Sequence, residues 1–127
     1  MALTTQDLVA GAREQIRELD TREARERIDR GATPLDVREA EELAAGYLPG
    51  AVHIPRGFLE FKLASNPVTQ DTSSELLVYC KTGGRAALAA QTLQTLGYTN
   101  VAIIRSGFDG WAAAGEPVDG AARDEEE

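Results

Sequence analysis

Cys80 is the only cysteine among 127 residues, and its neighbours are the ones a reactive thiol needs. It follows the apolar run Leu76-Leu77-Val78-Tyr79 and opens the short segment Lys81-Thr82-Gly83-Gly84. Arg85-Ala86-Ala87-Leu88-Ala89-Ala90, which reads as the first turns of a helix, comes next. A strand, a glycine-bearing loop and a helix start, in that order, aim unpaired backbone N–H groups at one point. A thiolate placed there is stabilised by those groups, by the positive end of the helix dipole, and by Lys81 and Arg85. The thiolate is the nucleophilic form of cysteine, so this stabilisation is what covalent chemistry requires. Gly83 and Gly84 allow positive φ and close backbone approach, as an anion cradle demands. A lone cysteine is more often a small buried hydrophobe. Its place at the carboxyl end of a strand, where open α/β sheets hold their ligands, tips the reading toward chemistry.

The elements that must position this thiol follow from periodicity and punctuation. Residues 4–15 carry Leu8, Val9 and Ala12 near helical spacing, with Thr4 or Thr5 as N-cap. Residues 16–19 suit a short edge strand. Asp20-Thr21 caps a charged helix from Arg22 to Arg30, which Gly31 stops. Pro34 to Val37 reads as a strand, Glu39 to Ala45 as a short helix ended by Gly46, and Val52 to Ile54 as another strand. Phe58 to Leu63 is expected to be helical and residues 66–74 to form a polar surface loop. After the Cys80 segment a helix runs to about Leu96, with Gly97 as its C-cap. Val101 to Ile104 is a further strand and Phe108 to Ala114 a last helix. Alternating strands and helices predict an α/β domain: a mostly parallel central sheet with helices on both faces, in three layers. Continuous apolar runs fit strands buried on both sides. The organisation expected is an N-terminal helix (1–15), one domain (16–119) and an acidic, disordered tail (120–127).

Composition narrows the function. The net charge of −8 argues against nucleic acid or an anionic membrane as main partner. One cysteine excludes an internal disulfide and a cysteine-based zinc site, and no metal is expected. No apolar stretch approaches the ~18 residues of a membrane span, and no signal-peptide pattern opens the chain. A reducing, cytoplasmic setting is expected.

Three segments together resemble the rhodanese (sulfurtransferase) domain family. They are Leu35-Asp36-Val37-Arg38-Glu39 with Gly46-Tyr47-Leu48-Pro49-Gly50-Ala51-Val52-His53-Ile54-Pro55, then Tyr79-Cys80-Lys81-Thr82-Gly83-Gly84-Arg85, then Gly107-Phe108-Asp109-Gly110-Trp111 with Gly115-Glu116-Pro117-Val118. The match spans about residues 16–119. Two departures stand out: Tyr47 where the family has histidine, and Arg105-Ser106-Gly107 where a glycine pair is commoner. The resemblance implies a sulfurtransferase, with Cys80 as sulfur carrier and Lys81, Thr82, Gly83, Gly84 and Arg85 as the cradle that binds substrate. Its partners would be a small anionic sulfur donor such as thiosulfate, or a sulfur-donor or sulfur-acceptor protein. No organic cofactor is implied. Thiosulfate is a dianion whose outer sulfur is electrophilic, and the cradle would stabilise the departing sulfite.

Other readings compete. A cysteine phosphatase also holds a thiolate in an anion cradle, but with five residues between Cys and Arg where this chain has four. A non-catalytic binding module of the same fold, or a persulfide relay to a partner protein, are further alternatives. Among the remaining residues, Asp36 and Arg38 are expected to tie strand to loop, His53 to be structural, Arg56 to be superficial and Trp111 to be core. Lys81 and Arg85 either face the ligand or pair with acids, since sequence does not set their side-chain direction.

Overall fold

The computed structural model describes residues 2–120; all but the first residue of the expected acidic tail lies outside them. Five strands form one sheet: β1 (Arg17–Leu19), β2 (Thr33–Asp36), β3 (Val52–His53), β4 (Leu76–Tyr79) and β5 (Val101–Ile104). Their order is β1-β5-β4-β2-β3, and every pairing is parallel. The α-helices are α1 (Thr5–Gln15), α2 (Thr21–Asp29), α3 (Leu59–Lys62), α4 (Gly84–Thr95) and α5 (Gly107–Ala113).

Side chains alternate across a strand, so each strand feeds two cores. Leu76, Val78 and Cys80 join Leu35, Val37 and Ile103 in a core covered by α1, α3 and α4. Leu77 and Tyr79 join Ala102 and Ile104 in the opposite core, covered by α2 and α5. The expected three-layer parallel arrangement is therefore present. In α4, Ala86, Ala87, Ala89 and Ala90 are all fully buried, and their small side chains let the helix lie close on the sheet.

Two elements differ in detail from the sequence expectation. The segment Ala40–Ala45 is a 3-10 helix, ended by Gly46 at φ +110°. The loop at 66–74, expected on the surface, folds partly inward. Thr69 is fully buried there, its hydroxyl donating to the Leu63 carbonyl at 2.8 Å and its carbonyl accepting from the Tyr98 hydroxyl at 2.5 Å. Both polar groups are satisfied, which is what permits the burial.

The topology also makes a crevice. The connection leaving β2 carries Leu48 into the α2/α5 core, while the connection leaving β4 runs through α4 on the other face. β2 and β4 are neighbours, so their carboxyl ends part at a topological switch point, where such sheets bind ligands.

Candidate active site

Cys80 stands at the end of β4 on the α4 side of that switch point. Its side chain is buried, 1% exposed. The sulfur Sγ accepts the Gly83 N–H at 3.1 Å and the Ala86 N–H at 3.3 Å. Gly83, with φ +125°, is the N-cap of α4 and turns the chain so that these donors face back toward the thiol. A Cβ at Gly83 would meet the Arg105 carbonyl at 3.0 Å and displace the guanidinium of Arg13 on α1, whose long side chain can yield, so the positive φ is the main demand for glycine there. Among the described residues, the N–H groups of Lys81, Thr82, Gly84 and Arg85 make no hydrogen bond. The loop thus wraps the sulfur with two engaged donors and keeps four more in reserve, at the positive end of a 12-residue helix.

From the other side, α5 fixes the loop by its carbonyls. Phe108 N–H donates to the Cys80 carbonyl at 2.8 Å, and Asp109 N–H to the Lys81 carbonyl at 3.1 Å. This pairing engages the Cys80 and Lys81 carbonyls and leaves the Lys81 and Thr82 N–H groups without a partner among the described residues.

The side chains are arranged by charge. Arg85 grips Glu42 of the 3-10 helix with two hydrogen bonds, 2.6 and 2.9 Å. That contact lowers the Glu42 carboxyl to about 2 and raises the Arg85 guanidinium above its ordinary value. Arg85 also stands beside Cys80, which adds in a smaller way to holding its charge. Lys81 turns outward and meets Asp109 at 2.8 Å, both side chains about half exposed. Thr82 is exposed at the loop tip. A cavity of about 140 Å³ opens beside the loop, lined by Arg38, Glu42, Ala45, Lys81, Phe108 and Asp109.

Beneath it lies a buried polar network. Asp36 is fully buried and accepts from Arg38 Nε at 3.0 Å, Arg38 Nη2 at 2.8 Å and the Tyr79 hydroxyl at 2.7 Å. Tyr79 in turn accepts the Leu48 N–H at 3.1 Å, and its phenol is raised, first by burial and then by the Asp36 charge. Arg38, 2% exposed, also reaches the Gly46 carbonyl at 2.8 Å and stacks on the Phe108 ring at 4.4 Å from its centre. Asp36 and Arg38 are thus struts between β2 and its following loop. His53 Nε2 lies 2.8 Å from the Arg38 carbonyl, Arg56 joins Glu60 and Thr92, and Trp111 donates to the Pro117 carbonyl at 2.7 Å.

The structure brings all six candidate residues, Cys80 to Arg85, into one loop and helix start, but the two cations point to acids rather than into open space. Sequence reasoning assigned no role to Glu42, Asp109 or Gly107. Glu42 and Asp109 lie 43 and 28 residues from their partners, so only the tertiary fold reveals the pairs.

A family model described as the rhodanese-like domain matches residues 20–114. The thiosulfate sulfurtransferase GlpE of Haemophilus influenzae is 32% identical over 104 residues, which cover 81% of this chain and 94% of that protein. A solved structure from Rhodopseudomonas palustris, of a protein of unknown function called a possible tyrosine phosphatase, matches with a TM-score of 0.86. It is 30% identical, and the match covers 94% of this chain and 96% of that one. The human single-domain sulfurtransferase TSTD1 matches with a TM-score of 0.69 at 31% identity, covering 76% of this chain and 95% of that one.

Proposed function

The chain belongs to the rhodanese-like domain family, and from that premise we propose that it is a sulfurtransferase working through a persulfide on Cys80. The donor is thiosulfate or a protein persulfide, and the acceptor is a thiophile. The observation that carries this reading is the sulfur of Cys80 accepting two backbone N–H groups inside a loop with further unpaired donors.

With thiosulfate, the Cys80 thiolate attacks the outer sulfur. The new S–S bond forms as the bond to the sulfonate sulfur breaks, and the electron pair leaves with sulfite. Cys80 is left as a persulfide anion, so charge balances across the step. An acceptor thiolate or cyanide then attacks the terminal sulfur, and the Sγ–S bond breaks to return the Cys80 thiolate. In this reading the unpaired N–H groups of Lys81, Thr82, Gly84 and Arg85 hold the extra sulfur and the negative charge that moves onto it. Arg85, beside the thiol, is a further candidate for this role. The chain carries no second cysteine, so the persulfide waits for an external acceptor.

Mass spectrometry of the intact protein before and after thiosulfate tests the proposal. A gain of one sulfur, about 32 Da, is expected on Cys80 and is removed by a thiol reductant. Cys80→Ser keeps its fold, since the hydroxyl is close in size, and shows neither the mass gain nor transfer to cyanide. Sulfur transfer retained in Cys80→Ser would remove Cys80 from the mechanism. Aryl phosphate hydrolysis lost in Cys80→Ser, with no sulfur gain in the wild type, would replace the reading with a phosphatase.

A further inference from the structure

We propose that Glu42 and Asp109 set the partner specificity of the Cys80 site, disfavouring dianionic sulfur donors such as thiosulfate and favouring thiols and persulfides that carry a positive group. The inference rests on the persulfide reading above and names the class of partner for it.

Three cations border the crevice, and each touches its own carboxylate. Arg38 holds Asp36 at 2.8 Å, Lys81 holds Asp109 at 2.8 Å, and Arg85 holds Glu42 at 2.6 Å. The formal charges of these six groups cancel. A dianion entering on this side finds each of these three cations already paired and must compete with a carboxylate in place; on the α1 side of the loop, Arg13 and Arg105 share the one carboxylate of Glu18. At Arg85 that competitor is a two-point contact, the strongest geometry a carboxylate makes with a guanidinium. Glu42, lowered to about 2, stays ionised at every pH at which the protein would work.

Glu42 and Asp109 also line the same 140 Å³ cavity, whose other walls include Ala45 and the Phe108 ring. Each carboxylate opposes a dianion twice as strongly as a monoanion at equal distance, and so offsets the pull of the cation that it pairs. The attraction that remains comes from the loop N–H groups, of which two already meet the Cys80 sulfur. At longer range the chain's net charge of −8 acts in the same sense. Glu39 and Glu41, exposed in the same 3-10 segment as Glu42, add to that negative charge. A partner that fits all of these features presents a thiol or persulfide next to an amine, lysine or arginine.

Two measurements at low ionic strength test this on the full chain, in the wild type, Asp109→Asn and Glu42→Gln. The first is the KM for thiosulfate with cyanide as acceptor. The second is the rate at which the sulfur-loaded protein is discharged by cysteamine, which carries an ammonium, relative to 3-mercaptopropionate, which carries a carboxylate. Asp109→Asn is expected to lower the thiosulfate KM by about fivefold, the upper range for an exposed ion pair, and to lower the cysteamine preference by a similar factor. Salt should shrink both differences. Unchanged KM and unchanged preference in Asp109→Asn would overturn the proposal whether or not Glu42→Gln folds, because Asp109 is a surface side chain. The sulfur gain on Cys80 is followed in every sample. No gain from any donor would sink the persulfide reading and this inference together, whereas normal loading with unmoved constants would sink this inference alone.

Discussion

Between the Cys80 loop and α5 there is room for a hydrogen atom and nothing larger. Gly107 has φ +64°, and a Cβ there would lie 2.5 Å from the Lys81 carbonyl oxygen and 2.7 Å from that of Cys80. Gly107→Ala therefore combines a left-handed non-glycine residue with an overpacked contact, and is expected to cost about 2 to 4 kcal/mol. Urea unfolding measures this; a variant as stable as the wild type would show that the loop yields freely. Cys80 itself was legible in the sequence because its chemistry depends on local order: strand, glycines, helix start. Gly107 was not, because what it touches lies 26 to 27 residues earlier in the chain and its neighbours say nothing of the approach. Tyr79 was hidden in another way. An apolar strand reading absorbed it, yet its hydroxyl completes the buried network around Asp36.

At the scale of elements, α1 lies beside the site although the family match begins after it. Thr4 and Asp7 form a capping box: the Thr4 hydroxyl accepts the Asp7 N–H at 3.0 Å and the Asp7 carboxylate accepts the Thr4 N–H at 2.9 Å. Ala12 is fully buried in the core shared with α4, Val9 lies against Gly84, and Arg13 lies over Gly83. Arg13 is itself held by Glu18, which also binds Arg105. Thr4→Ala should remove about 1 kcal/mol of helix stability. Hydrogen exchange is expected to quicken in residues 5–15 first; uniform acceleration across the sheet would mean that α1 does not open on its own. The sequence foretold this helix and its cap from spacing and a threonine. It could not foretell the neighbour, since an amphipathic face does not specify which surface covers it. β4 and β5 were readable for the opposite reason: each is an apolar run of four residues, all buried, which leaves little choice of arrangement.

For the molecule as a whole, the Glu42–Arg85 contact joins the β2 and β4 sides of the crevice, so its charge state bears on stability. The Glu42 carboxyl is lowered from 4.5 to about 2, chiefly by the Arg85 hydrogen bond. A lowered carboxylate stabilises the fold in full above its unfolded value and loses that contribution as pH falls toward its folded value. Glu42 should therefore contribute fully above about pH 4.5 and progressively less down to about pH 2. Glu42→Gln removes this term, and its stability should fall less steeply than that of the wild type across that window. Parallel urea midpoints for the two proteins between pH 4.5 and 2 would show that the contact carries no linkage.

The alternation along β4 places a demand on the gene as well as on the fold. Leu76, Val78 and Cys80 share one face, while Leu77 and Tyr79 share the other. Losing or gaining a single codon within this strand would reverse the parity of everything after the break. The thiol would then turn toward Phe108 and Trp111, away from its donors at Gly83 and Ala86. Substitutions among aliphatic residues at 76 to 78 keep the count and so keep the chemistry. Descent with modification in this segment is thus free in letter and strict in length.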